Sequence, residues 1–157
     1  MDYHIRKSRP DEIEILKAIT VESFGGVSVD HLLEQKLGVL GGHDWKWRKA
    51  RHIDADLASN AEGTFVAESG GQVVGYITTV VDVPAGKGRI PNLAVTAAAR
   101  GHGIGRALIE HALDSFRQQK LAYAMIETME TNPVGQTLYP SCGFVEVARQ
   151  IHFACRL

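Results

Sequence analysis

The 157-residue chain is predicted to be an α/β protein, with a mixed, mostly antiparallel sheet of about seven strands and helices on both faces. Apolar residues make up 45% and charged residues 22%, which is typical of a globular protein with one core. The length suits one domain over residues 1–157. Short β-rich runs alternate with segments of helical periodicity, in the order β-α-α-β-β-β-α-β-α-β-β.

The first half of the chain is predicted to hold one strand and two helices. Residues 3–7 alternate enough to begin a strand, and a helix entry follows at Pro10, with acids in the first turn. Ser28 or Asp30 can cap a second helix, which Gly38 closes together with two later glycines. The strands predicted after these cover residues 64–68, 72–81, 122–129, 144–148 and 151–155, and a further strand ends at Val95. Helices are predicted from 104 to 116 and near 133–140.

The segment 44–52 is locally basic and aromatic. Two interpretations are open, a nucleic-acid patch and an amphipathic helix whose charges lie in water. Trp47, Ala50, Ile53 and Leu57 recur at helical spacing, which favours the helix.

Charge and composition exclude several classes of partner. The net charge is −1, with 17 basic and 18 acidic residues, so no nucleic-acid partner is expected. No apolar stretch approaches the roughly 20 residues that span a bilayer, and the N-terminus has no signal-peptide pattern, so no membrane association is expected. Two cysteines provide no disulfide framework, which indicates a reducing, cytoplasmic location. The seven histidines show no metal-ligand spacing, so no metal is expected.

A glycine-rich loop after the strand that ends at Val95 is the most informative feature. It consists of Arg100, Gly101, His102, Gly103, Ile104, Gly105 and Arg106. A strand, a glycine loop and a helix together present free backbone N–H groups to a phosphate. The glycine spacing differs from that of a dinucleotide-binding loop. No Gly-Lys-Ser/Thr follows, which argues against a nucleotide-triphosphate loop. The alternative is an ordinary glycine-rich turn between a strand and a helix.

A second motif runs from Asn132 to Phe144 and contains Leu138-Tyr139-x-x-x-Gly143-Phe144. With Arg100-x-x-Gly103-x-Gly105, it resembles the GNAT superfamily, the Gcn5-related N-acetyltransferases, over most of the chain. The resemblance implies acetyl-CoA as co-substrate, with its pyrophosphate on residues 100–106. It also implies that the pantetheine arm pairs with the main chain of the strand containing Leu93, Ala94 and Val95.

The same resemblance makes Tyr139 the candidate general acid, since a phenol can protonate a leaving thiolate. The competing interpretation of Tyr139 is an aromatic anchor at the end of a short helix. Asn132 resembles an asparagine that hydrogen-bonds near the pantetheine arm, and it also suits an N-cap for the helix starting at Pro133. The family usually has alanine where Gly135 stands.

The general base is the least defined residue. Histone-type relatives use a glutamate on the fourth strand, but residues 89–92 contain no carboxylate. Glu127 stands where a ribosomal-protein type of relative has its glutamate, and it could act if burial raises its pKa. The competing interpretation is a solvated strand residue, and Glu130 and His52 are weaker candidates. Trp45 or His52 is a candidate to touch the acceptor.

The implied function is acetyl transfer from acetyl-CoA to a primary amine of a small molecule, protein or peptide. The alternatives are a non-catalytic acyl-CoA sensor and a nucleotide-binding regulatory domain. Homodimers are common among relatives. The acceptor stays unnamed, because variable loops line its pocket in this family.

Overall fold

The computed structural model describes all 157 residues and contains seven strands and five α-helices. The strands are β1 (His4–Lys7), β2 (Phe65–Ser69), β3 (Gln72–Ile77), β4 (Val80–Asp82), β5 (Lys87–Ile90), β6 (Leu93–Val95) and β7 (Tyr123–Ile126). The helices are α1 (Ile13–Ser23), α2 (Val29–Leu37), α3 (Trp45–Asn60), α4 (Ile104–Gln118) and α5 (Pro133–Ser141).

The strands form two hydrogen-bonded sheets. One has the order β1-β2-β3-β6 and is antiparallel throughout, whereas the other has the order β4-β5-β7, with β5 and β7 parallel. This mixed, mostly antiparallel arrangement confirms the predicted fold class.

Two predicted strands are each divided where one sheet gives way to the other. The run 72–81 becomes β3 and β4 with Thr78 and Thr79 between them, and the run ending at Val95 becomes β5 and β6 with Pro91 and Asn92 between them. Proline has no N–H for a ladder, which favours the break. The division leaves β6 at the edge of its sheet, paired only with β3.

Helices cover both faces of the four-stranded sheet because successive side chains point to opposite faces. Phe65, Ala67 and Ile77 pack with buried residues of α4 in a ten-residue cluster. On the other face, Val66, Tyr76 and Ala94 pack with residues of α1 and α3 in a six-residue cluster. Helices on both faces were predicted, and the structure confirms them.

Three helices, rather than the two in the predicted order, lie between β1 and β2. The third is α3, and its buried residues are Trp45, Lys49 and Ile53. The helical spacing predicts Trp47 on the apolar face, which is wrong, because Trp47 is 42% exposed. The predicted helix is confirmed for this segment, but the side chains that pack inward include Lys49.

The two predicted closing strands, 144–148 and 151–155, do not form. Residues 145–157 lie outside helices and strands, and their side chains are exposed. An alternating pattern gives a segment the tendency to be a strand, but a strand also needs a partner with which to pair. Here Arg149 instead contacts Glu130, and Arg156 donates to the Leu37 carbonyl. None of the helices is long and apolar enough to cross a membrane.

Candidate active site

The glycine loop 100–106 leads directly into α4 and shapes its N-terminus. Gly101 and Gly103 have φ of +79° and +78°, in the left-handed region that favours glycine. Gly103 is the N-cap residue, and no side chain caps the helix. A helix start of this kind presents backbone N–H groups and the positive end of the helix dipole. The loop therefore has the geometry of an anion site.

The charged side chains of this loop turn away from its N–H groups toward neighbouring elements. Arg100 donates through Nε to the Val95 carbonyl at 3.1 Å. Arg106 donates to the Ser141 carbonyl at 2.9 Å and to the Ser141 hydroxyl at 2.8 Å. His102 Nδ1 lies 3.3 Å from the Ala99 carbonyl. The positive charge expected here for phosphate oxygens thus serves mainly to join the loop to β6 and α5.

The outer edge of β6 carries unpaired main-chain groups. Thr96 N–H donates to Val74 O and the Asn92 carbonyl accepts from Thr78 N–H, so even-numbered residues of this run face β3. Because hydrogen-bonding direction alternates along a strand, Leu93 and Val95 face the opposite, open edge, and Ala94 faces β3. The Val95 carbonyl already accepts a hydrogen bond from Arg100 Nε. The N–H groups of Leu93 and Val95 remain available for an added extended chain.

Helix α5 is held against the head of α4. Its N-cap is Asn132, whose Oδ1 accepts from Gly135 N–H at 3.3 Å and whose Nδ2 donates to Thr128 Oγ1 at 2.9 Å. Leu138 packs against Gly105, where an added Cβ would lie 3.3 Å from Leu138 Cδ2. The N-cap interpretation of Asn132 thus has direct geometric support. This packing brings the helix that carries Tyr139 to the glycine loop.

Tyr139 packs against the larger core cluster, and its ring centroid lies 6.3 Å from that of Phe144. Burial raises the pKa of the Tyr139 phenol to about 12, and the negative charge of Glu127 adds to the shift. The phenol therefore stays protonated at neutral pH, which the predicted role of general acid requires.

Glu127 lies one residue beyond β7 and forms an ion pair with Arg89 of β5. Arg89 Nε donates to Oε1 at 3.2 Å, and Nη2 donates to Oε2 at 3.3 Å. The Glu127 side chain is 56% exposed, so the burial on which its predicted role depends is not present. Glu130 is more exposed still and contacts Arg149. The role of Glu127 as the base stays a prediction.

A polar pocket of about 560 Å³ lies beside the candidate site, between α3 and the break that separates β5 from β6. His52, Arg89 and Asn92 are among its lining residues, whereas Trp45 is buried and stacks on His31 at 4.6 Å. No group of three or more His, Cys, Asp or Glu side chains is placed to hold a metal ion. His52, one of the two residues proposed to touch an acceptor, thus faces a cavity.

A buried hydrogen-bond network underlies this pocket and centres on Asn92. Lys49 Nζ donates to Asn92 Oδ1 at 2.7 Å, and Asn92 Nδ2 donates to Asp56 Oδ2 at 2.6 Å. Thr78 Oγ1 also donates to Asp56 Oδ2, at 2.7 Å. Burial lowers the pKa of Lys49 to about 8, although Asp30 and Asp56 oppose the shift. Lys49, Asp56 and Asn92 were not predicted as site residues from the sequence.

The packing around Gly135 leaves no room for a side chain. A Cβ there would lie 2.5 Å from Thr128 Oγ1. We therefore expect Gly135→Ala to destabilise the protein by about 1–3 kcal/mol through overpacking, although alanine favours helices. Chemical denaturation measures the change. The double variant Thr128→Ala/Gly135→Ala, compared with Thr128→Ala, should show a smaller further loss, since only the contacts at 3.0 Å with Thr128 Cβ and Asn132 Nδ2 remain. An equal loss would contradict the role of the Thr128 hydroxyl.

Comparison with known proteins identifies the family. The family model described as Acetyltransferase (GNAT) family matches residues 28–144, which include the glycine loop and Tyr139. The chain belongs to this family. It is 34% identical over 125 residues to N-acetyltransferase 8F1 of Rattus norvegicus, covering 73% of this chain and 57% of that relative. The chain thus spans little more than half the length of this GNAT relative.

Solved structures share the GNAT fold. A PaiA N-acetyltransferase from Thermoplasma acidophilum in complex with coenzyme A has a TM-score of 0.71 at 17% identity, covering 90% of this chain and 88% of the other. A GNAT family acetyltransferase from Brucella melitensis in complex with acetyl-CoA has a TM-score of 0.56 at 23% identity, covering 80% and 75%. At these identities the likeness concerns the fold.

Proposed function

We propose that residues 1–157 form a single GNAT domain that transfers an acetyl group from acetyl-CoA to a primary amine of a small molecule, protein or peptide. The observation that carries this proposal is the uncapped start of α4, with Gly103 in the left-handed conformation beside the open edge of β6. The pyrophosphate would bind the N–H groups of the loop. The pantetheine arm would pair with Leu93 and Val95 along that edge.

The residues suit direct transfer in a complex with both substrates. The amine nitrogen attacks the thioester carbonyl carbon, a C–N bond forms, and the C–S bond breaks with its electron pair leaving on sulfur. Tyr139 donates a hydrogen bond to the departing thiolate and supplies its proton, and the resulting phenolate is reprotonated by the proton that the nitrogen loses as the amide forms. A backbone N–H on β6 stabilises the carbonyl oxygen as it gains negative charge.

The acceptor ammonium first loses one proton, to water or to a carboxylate, because only the neutral amine can attack the thioester. Glu127 is the candidate carboxylate, since its negative charge acts on the Tyr139 phenol. Because Glu127 is exposed, water can link it to the amine.

Release of free CoA from acetyl-CoA, measured against a panel of primary amines, tests the proposed reaction. We expect amine-dependent release with formation of the acetylated amine, detected by mass spectrometry. Binding of acetyl-CoA without turnover on any amine would instead identify a non-catalytic acyl-CoA sensor. Tighter binding of a mononucleotide than of CoA would identify a nucleotide-binding module.

Gly103→Val should weaken acetyl-CoA binding at least about tenfold, because a branched side chain blocks the approach of a phosphate and disfavours φ of +78°. Isothermal titration calorimetry measures the affinity. Gly70→Val is the matched control, since Gly70 also has positive φ and open space but lies in the β2–β3 turn. Equal affinity in Gly103→Val and wild type would refute the proposed phosphate site.

A further inference from the structure

The polar pocket beside α3 contains charged groups that are not fully satisfied by the protein. Its ten lining residues are Asp30, Trp47, Arg48, Arg51, His52, Ala55, Asp56, Arg89, Pro91 and Asn92. Only two of these are hydrophobic. A cavity this polar selects its ligand by charge and hydrogen bonding rather than by apolar fit.

Two charged residues of the pocket, Asp30 and Arg48, already have partners within the pocket wall. Asp30 lies 3.2 Å from His52 Nε2 and 4.0 Å from Arg48 Nε. Arg48 also donates to the carbonyls of Leu40 and His43, and its Nη2 lies 3.6 Å from Glu34. These residues hold α2 against α3 and shape the pocket.

The remaining cations are Arg51 and Arg89. Arg51 has no carboxylate within ion-pair distance, and its guanidinium lies over the Trp47 ring, 4.7 Å from the centroid. Stacking orients the planar guanidinium while leaving its N–H groups free. Arg89 pairs only with Glu127, and both side chains are about half exposed, so this ion pair is weak. Both arginines can therefore accept an anionic partner from outside.

The pocket also contains one carboxylate oxygen that can receive a cation. Both hydrogen bonds to Asp56, from Asn92 and Thr78, end on Oδ2, which leaves Oδ1 unpaired. Asn92 directly precedes β6, along whose edge the thioester would lie. An ammonium group near Asp56 would thus be close to the proposed acetyl donor.

We propose that this pocket binds an amine acceptor that also carries an anionic group, either a carboxylate or a phosphate. The anion binds Arg51 and Arg89, and the ammonium faces Asp56. The inference rests on the proposed function, since it names the substrate class of the same site. Guanidinium groups recognise carboxylate and phosphate through paired, charge-assisted hydrogen bonds. Amines without an anion leave these two cations unmatched and bind less tightly.

Matched amine pairs test the proposal in the CoA-release assay. Phenylalanine is compared with phenethylamine, and phosphoethanolamine with ethanolamine, which separates a carboxylate from a phosphate. We expect kcat/KM at least about tenfold higher for the anionic member of one pair. In Arg51→Gln this advantage should disappear through a higher KM, with KM for acetyl-CoA unchanged. Equal values within both pairs, or an equal loss for both members in Arg51→Gln, would overturn the proposal.

A binding measurement separates failure of this inference from failure of the proposed reaction. Trp47 lines the pocket, so titration with at least one of phenylalanine and phosphoethanolamine should change tryptophan fluorescence saturably, even without acetyl-CoA. Arg51→Gln should abolish the change, whereas Arg117→Gln on α4, an exposed arginine paired with Asp114, should keep it. Saturable binding without turnover would support the anion site while contradicting the acetyltransferase. No response to either compound would contradict the anion site itself.

Discussion

Tyr139→Phe is expected to lower kcat for acetyl transfer about 100-fold while KM for acetyl-CoA stays within about twofold. The change removes one hydroxyl and keeps the ring that packs near Phe144. Burial and the charge of Glu127 hold the pKa of Tyr139 near 12, so the wild-type phenol carries its proton throughout the neutral range. Steady-state kinetics of CoA release, with the acceptor and acetyl-CoA varied separately, measures both parameters.

The matched control is Tyr123→Phe, which makes the same chemical change at a half-exposed tyrosine, the first residue of β7. This variant should retain the wild-type kcat. Unchanged turnover in Tyr139→Phe would remove the phenol from the reaction and leave it as an aromatic anchor. A large rise in KM for acetyl-CoA would assign it to cofactor binding instead.

The features predicted from sequence are those that depend on local chain geometry. The predicted helix does begin at Ile104, directly after the glycine loop. Gly101 and Gly103 adopt positive φ there, a conformation that favours glycine. Asn132 before Pro133 likewise marks the start of α5. Such signals lie within a few residues of the structure they determine.

The breaks in the strands depend on partners far away in the chain. The run 72–81 reads as one strand, but Thr78 and Asn92, fourteen positions apart, hydrogen-bond where the two sheets separate. The count of about seven strands was confirmed although two expected strands at the C-terminus are absent and two others are divided. Hydrophobic alternation indicates which residues can form a strand, but it does not indicate which strand they will pair with.

The pocket was missed because most of its lining residues belong to α3, an amphipathic helix whose charged side chains were expected to lie in water. One local signal was available: Lys49 lies four residues after Trp45 and four before Ile53, so it falls on the buried stripe of α3. A lysine in that position implies a buried polar partner, which Asn92 provides. The identity of that partner depends on tertiary packing and could not be derived from the spacing.

Lys49 should give the protein an unusual rise in stability at alkaline pH. Burial lowers the folded-state pKa from 10.5 to about 8. Between these values the unfolded chain holds a proton that the folded protein has lost, so the free energy of unfolding rises with pH. Below pH 8 the lysine is charged in both states, and the penalty for burying the charge is fully present. We expect a rise of about 2 kcal/mol from pH 8 to pH 10, measured by urea denaturation.

Lys49→Met isolates this contribution, because methionine fills the same space without a titrating group. It leaves Asn92 Oδ1 without its donor, which lowers stability by a similar amount at every pH and so does not alter the slope. The difference between wild type and Lys49→Met should therefore change by about 2 kcal/mol across the window. Lys46→Met, at an exposed position on the same helix, should leave the wild-type pH dependence intact. If Lys49→Met and wild type follow parallel curves from pH 8 to pH 10, the Lys49 ammonium is not destabilised by burial.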